Sequence, residues 1–213
     1  MKPEIIYEDD DIIVVNKPAG AIVHPAPGHE TDALTDALVR LFPEMARVGS
    51  AERPGVVHRL DIETSGVMVF AHTQRAYLDL RQQFESHIAV RKTYLAVVHG
   101  RPREKSGTID SPVGRDRLSA VTHWSVLGRH NGLSLVEFKI DTGRMHQIRI
   151  HAAALGCPVV GDKAYGDAEA DRRMPRRPAR QLLHAVELSF IHPATKKRVT
   201  FSAAPPDDIV YAC

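Results

Sequence analysis

Val57-His58-Arg59-Leu60-Asp61-Ile62-Glu63-Thr64-Ser65-Gly66 runs directly into Val67-Met68-Val69-Phe70-Ala71. A polar turn thus feeds an unbroken apolar run, the composition of a buried strand, and a short strand is predicted before it at 55–58. Asp61 then sits on a loop between strands. Upstream, Ile5-Ile6-Tyr7, an acidic turn at 8–11 and Ile12-Ile13-Val14-Val15 read as a hairpin, followed by the turn Asn16-Lys17-Pro18-Ala19-Gly20. Leu34, Leu38 and Leu41, with Thr31 and Asp32 as candidate caps, predict a helix that ends before Pro43, and 46–54 reads as a loop. Downstream, Thr73 can cap a helix through Tyr77, Leu80 and Phe84. Strand-like runs recur at 93–98, 108–109, 120–127 and 133–140, Thr142 can cap a helix through Leu155, and 182–190 and 198–201 read as β. Few helices and many short strands point to the α+β class, with a mixed, largely antiparallel sheet flanked by helices and loops. No internal repeat or linker divides the chain, so a single domain over 1–213 is expected.

The chain has 213 residues, 43% of them hydrophobic, enough for a sizeable core. No apolar run is long enough to cross a bilayer and Met1-Lys2-Pro3-Glu4 is not a signal peptide, so a cytoplasmic protein without a membrane partner is expected. Two cysteines, Cys157 and Cys213, suggest free thiols rather than a disulfide framework. The net charge of +2 is unevenly spread: residues 1–52 carry −6, leaving +8 for the remainder. Clustered cations downstream of an acidic start suit a polyanion such as RNA, although many enzymes that never touch nucleic acid are as basic.

Three segments are dense in chemistry. Asp61 follows Arg59 and precedes the turn formers Thr64, Ser65 and Gly66; it reads either as a catalytic carboxylate or as a turn aspartate bonded to backbone N–H groups. In Asp141-Thr142-Gly143-Arg144-Met145-His146-Gln147-Ile148-Arg149-Ile150-His151, a helix starting at Thr142 puts His146 and Arg149 on one face and Arg144, Ile148 and His151 on another. Its first turn, with Arg144 beside it, would offer N–H groups to a phosphate, and Arg149 needs an acidic partner. In Arg91-Lys92-Thr93-Tyr94, two cations at a strand start could face phosphate, while Tyr94 offers a ring to a base or packs in a core. Twelve histidines without an HExxH pattern or a cysteine companion do not suggest a metal site. The run Arg172-Arg173-Met174-Pro175-Arg176-Arg177-Pro178-Ala179-Arg180 is either a solvated loop or a contact to a polyanion.

In this order the segments resemble the RluA family of RNA pseudouridine synthases, and the likeness covers most of the chain. Ile12 to Gly20 as spelled above, with Asn16-Lys17-Pro18-Ala19-Gly20 at its end, is similar to the family's first motif; His58-Arg59-Leu60-Asp61 with Thr64-Ser65-Gly66 to its catalytic motif; and Lys92-Thr93-Tyr94 to its tyrosine motif. Thr142 through His151 resembles the arginine motif, and Pro158-Val159-Val160-Gly161-Asp162 with Tyr165-Gly166 the stretch that follows. The resemblance implies the pseudouridine synthase fold and isomerisation of uridine in ribosomal or transfer RNA, with no metal and no cofactor. It implies Asp61 as nucleophile, Arg149 as the guanidinium that keeps Asp61 ionised against the effect of burial, and Tyr94 as the platform for the base. Arg59 is implied as an aid to base flipping, with Arg91, Lys92 and Arg144 as weaker candidates for contacts to the RNA backbone. Many relatives carry an S4 module ahead of the catalytic domain, whereas here the first motif begins within a dozen residues of Met1, and a monomer is expected. The connection Arg117-Leu118-Ser119 is shorter than in relatives, and Met145 stands where Thr or Ser is usual. The rivals are an inactive RNA-binding protein of the same fold and, more distantly, a hydrolase using Asp61 with His58 as base.

Overall fold

Asp9 makes the first turn: its Oδ1 accepts the N–H groups of Asp11 and Ile12, both at 2.9 Å, and so reverses the chain between two strands. In the computed structural model, which describes residues 2–25, 32–210 and 212, these are β1 (Glu4–Glu8) and β2 (Ile12–Lys17). There follow α1 (Leu34–Leu41), a 3-10 turn (Pro43–Arg47), the two-residue strands β3 (Gly49–Ser50) and β4 (Arg53–Pro54), β5 (Ser65–Ala71), α2 (Gln74–Ser86) and β6 (Arg91–His99). Next are β7 (Ser106–Asp110), β8 (Val121–His130), β9 (Leu133–Ile140), α3 (Gln147–Ala154), α4 (Ala168–Arg173), β10 (Leu183–Ile191), β11 (Arg198–Ser202) and α5 (Asp207–Val210). No helix is long and apolar enough to cross a membrane among the described residues. Thr31 and Cys213 lie outside the described residues; Cys157 is a buried free thiol.

The chain forms two compact units, one of Met1–Val90 with Glu187–Ala203, the other of Arg91–Val186 with Ala204–Cys213. No sequence boundary marks the crossings at 90, 186 and 203, because each falls between residues of ordinary composition, the second inside β10.

In the first unit, β2 pairs antiparallel with β1 on one side and with β5 on the other, Ile12 opposite Ala71 and Lys17 opposite Gly66. Every residue of β5 is buried, which is why its sequence is a continuous apolar run rather than an alternation. Along α2, Ala76, Leu80 and Phe84 form the buried stripe, four residues apart. Thr73 caps α2 as expected, its Oγ1 accepting the Ala76 N–H at 3.2 Å. The N-cap of α1 is Ala33, whose N–H is taken by the Asp36 carboxylate at 3.0 Å; Asp32, offered as a cap, instead adopts a positive φ of 68°. The strand expected at 55–58 is reduced to a single bridge from Val56 to Phe70, because the loop toward Asp61 leaves the ladder after one rung. Within 46–54, read as a loop, β3 and β4 form a minimal antiparallel pair.

The second unit is an antiparallel meander in the order β6-β9-β8-β7. Its core includes Val97, Leu133, Val160, Leu182 and Ile209. The expected α+β class, with mostly antiparallel pairing and few helices, is the architecture observed. The helix expected from Thr142 begins only at Gln147, after His146 in the left-handed region with φ 56°. Thr142 and Gln147 bond to each other and to β8 instead of to a helical backbone, so residues 142–146 stay a loop, and the phosphate site expected at a first turn there is not formed. The arginine-rich run is neither wholly loop nor wholly free. Arg172 and Arg173 end α4, and Arg180 is buried at 8% exposure with both edges of its fork used. It forms a bidentate pair with Asp208 at 2.7 Å on each oxygen and donates to the Gln181 carbonyl, which ties α5 to this unit.

Candidate active site

Asp61 is half-buried in the first unit, on a loop held at two points. Upstream, His58 accepts the Val69 N–H on Nε2 at 3.1 Å and stacks on Phe84, ring centroids 4.4 Å apart and nearly parallel. Downstream, the Ile62 carbonyl accepts the Gly20 N–H at 2.8 Å and the Lys17 ammonium at 2.9 Å. Lys17 is fully buried at the end of β2 and donates also to the carbonyls of Ala21 at 2.8 Å and Pro18 at 3.0 Å. An ammonium has three protons, and a buried one persists only when they are satisfied. Lys17 therefore clamps the turn 18–21 to the backbone next to Asp61. A tighter turn at Asp61 itself, with its carbonyl accepting the Thr64 N–H at 3.1 Å, completes the fixed backbone. Leu60 is buried, whereas Arg59 is exposed and, with Leu60 and Ile62, lines a cavity of about 890 Å³ within this unit. Because the His58 Nε2 lone pair is already committed to a backbone N–H, His58 is poorly suited to act as a hydrolase's base.

In the second unit, Tyr94 is buried on β6 opposite Phe138 of β9. Strand alternation puts Lys92 on the same face as Tyr94, while Arg91 is exposed at the strand's start. Arg149 is the third residue of α3 and forms a fork with Asp162, Nε to Oδ2 at 2.6 Å and a terminal nitrogen to Oδ1 at 2.8 Å. The Asp162 side chain is fully buried, and its Oδ1 also accepts the N–H groups of Ala164 at 2.9 Å and Tyr165 at 3.0 Å. Burial works against the carboxylate, but the Arg149 and backbone donors outweigh it and hold the Asp162 carboxyl below its ordinary value. The guanidinium carbon lies 5.2 Å from the Tyr165 ring centroid, and the Tyr165 hydroxyl is 3.2 Å from His146 Nδ1. One edge and one face of Arg149 are thereby fixed by a single turn. That turn requires its glycines: a Cβ on Gly161, which has φ 75°, would stand 1.9 Å from the Arg180 carbonyl oxygen, and one on Gly166 would stand 2.2 Å from that of Asp162.

The segment from Thr142 to His151 is bound to β8 by polar side chains. Gln147 Nε2 donates to the Val121 carbonyl and Thr122 Oγ1, each at 2.9 Å, while its Oε1 accepts from Thr142 Oγ1 and from the Arg144 N–H. His151 bridges Thr122 Oγ1 at 2.8 Å and the Ser111 carbonyl at 2.9 Å. The loop so held leaves Met145 exposed at 73% and lets Arg144 donate from Nε to the Ser119 carbonyl at 3.2 Å. Burial pushes the Lys92 ammonium down to about 8; Asp141 opposes that shift and Arg144 adds to it.

Comparison with known proteins bears on these two sets of groups. The family model described as RNA pseudouridylate synthase matches residues 11–154, which include Asp61, Tyr94 and Arg149. The chain belongs to this family. A ribosomal large subunit pseudouridine synthase D of Zymomonas mobilis is 38% identical over 97% of this chain and 70% of its own length. An RNA pseudouridine synthase of Synechocystis, described as uncharacterized, is 41% identical over 95% of this chain. The chain spans 65% of that relative's length. Among solved structures, human RNA pseudouridylate synthase domain containing 4 superposes with a TM-score of 0.78 at 27% identity, covering 98% of this chain and 91% of that one.

Within the pseudouridylate synthase family's motifs, the residues that sequence reasoning passed over are those that hold others. Lys17 is a letter of the first motif, and a lysine just after the apolar run 12–15 is itself a signal, since a charge there is buried only when it is satisfied. Asp162 and Tyr165 belong to the stretch after the arginine motif, where the sequence alone gives them no role. The acidic partner expected for Arg149 exists in Asp162, thirteen residues on.

Proposed function

We propose that the protein isomerises uridine to pseudouridine in structured RNA, with Asp61 as the nucleophile. The observation that carries this reading is the Asp61 loop, whose backbone is pinned by the buried ammonium of Lys17 on one side and by His58 on the other. A carboxylate that must meet one atom of a large substrate benefits from such preorganisation. The reaction breaks the N1–C1′ bond, turns the base and joins C5 to C1′; the proton on C5 leaves and N1 gains one, so no net oxidation occurs. Tyr94 is assigned as the platform for the base rather than as a free base, because a phenol ordinarily ionises near 10. Arg149 is assigned to keep Asp61 ionised, since a guanidinium carries five N–H donors, two of which serve Asp162.

A stacked uridine must leave the helix to be reached, at about a few kcal/mol, and Arg59, exposed beside Asp61, is assigned to support the flipped state. Arg91, Lys92 and Arg144 are assigned to the RNA backbone. The name of the Zymomonas relative makes ribosomal RNA the first substrate to test.

Purified protein is expected to form pseudouridine in unmodified ribosomal RNA, read by carbodiimide adducts that stop reverse transcription. Asp61→Asn is expected to remove that signal while keeping RNA affinity within about threefold; undiminished turnover by the variant would overturn the assignment. Mapping pseudouridine in cells with and without the gene identifies the target uridine.

A further inference from the structure

Lys92 stands out among the cations of the second unit. It is only 8% exposed, yet it makes no hydrogen bond or ion pair among the described residues. Its nitrogen lies against Gly143, where a Cβ would stand 3.3 Å away. The charged groups facing it are Arg144, which is of like sign, and Asp141, which is itself turned to His123 with Oδ2 3.0 Å from the imidazole Nε2. Two cations gathered at a loop, one of them largely desolvated, are unfavourable in the protein alone. They become favourable when an anion enters.

We propose that Lys92, Arg144 and the Gly143 backbone form a dedicated site for one phosphate of the bound RNA, next to the nucleotide that Tyr94 supports. Three further observations support it. Lys92 and Tyr94 share a face of β6 two residues apart, roughly 6.6 Å along the strand, within the reach of a single nucleotide. Gly143 lacks the side chain that would crowd the approach to Nζ. The loop carrying Gly143 and Arg144 is fixed by Gln147 and Thr142 rather than by a helix, so its position does not depend on the RNA. The depressed ionisation of the ammonium is then the mark of a site awaiting its counter-ion, and phosphate would draw it back toward the ordinary lysine range.

This inference rests on RNA being the substrate, and its test separates the two. Binding of in vitro transcribed ribosomal RNA is measured over a salt series for the wild-type protein, for Lys92→Met and for Lys139→Met, which removes an exposed cation of the same unit paired with Glu137. Lys92→Met is expected to weaken binding about tenfold and to reduce the slope of log K against log salt by about 0.7–0.9, the value for one phosphate. KM should rise about tenfold with kcat within about twofold, and Lys139→Met should change neither. In lysine NMR of the free protein, inorganic phosphate should raise the Lys92 titration midpoint, whereas chloride at equal ionic strength should not. An unchanged slope and affinity for Lys92→Met, or no response to phosphate, overturns the phosphate site even if pseudouridine is formed. A reduced slope and affinity in a protein that forms no pseudouridine upholds the site and counts against the catalytic reading instead.

Discussion

Replacing Lys92 by Met should make the protein more stable while making it bind RNA less well. In the folded chain the ammonium titrates at about 8, against 10.5 for an exposed lysine. At pH 7 it is charged in both the folded and unfolded states, so the folded state bears the whole penalty of desolvating it, about 3 kcal/mol at 1.36 kcal/mol per unit. The sign follows from proton binding: between the two values the unfolded chain holds more proton than the folded one, so wild-type stability rises with pH through that window. Lys92→Met, which keeps the apolar stem and removes the charge, should therefore gain up to about 3 kcal/mol at pH 7 and about 1.5 kcal/mol at pH 9.5, with the gain vanishing above the unfolded value. Urea denaturation of both proteins at the two pH values, followed by circular dichroism, reads this difference directly. A variant less stable than wild type at pH 7, or a difference independent of pH, would refute the claim that a desolvated charge is held at this position.

Lys17→Met removes the buried donor shared by three carbonyls and should cost about 1–3 kcal/mol in denaturation, with a lower kcat and faster hydrogen exchange at the Gly20 amide, whose acceptor is the clamped Ile62 carbonyl. Asp162→Asn takes a carboxylate partner from the buried Arg149 guanidinium and should destabilise by about 3–5 kcal/mol. Because the Asp162 carboxyl titrates below its ordinary value, its stabilisation is present above the unfolded carboxylate pKa and lost as pH falls through the folded one. Acid titrations of wild type and Asp162→Asn should accordingly converge at low pH; a constant gap would argue against an ionic pair. Gly161→Ala forces a methyl against the Arg180 carbonyl at a positive φ, and the expected outcome is a fall in thermal midpoint of several degrees together with reduced turnover, read by calorimetry and by pseudouridine formation.

Local signals were enough for much of this molecule. The apolar runs 12–15 and 67–71 are strands because nothing polar interrupts them, the stripe Ala76, Leu80 and Phe84 makes α2, and Thr73 caps it through its own hydroxyl. The order of the motifs carries the family, since each motif is a short stretch of neighbours. Tertiary structure alone decided which side chains close on one another across long separations. Lys17 meets the Ile62 carbonyl 45 residues on, and Arg180 meets Asp208 across 28, distances over which no periodicity carries information. The start of α3 differs from the sequence expectation for the same reason: Thr142 looks like a cap locally, but its hydroxyl and Gln147 are taken by β8, which only the folded sheet brings near. For Lys92 the sequence determines a cation two residues before Tyr94. Its burial, and with it the drive to bind an anion, arises only when the loop 141–144 comes to lie against β6 and displaces part of the water that would otherwise solvate the charge.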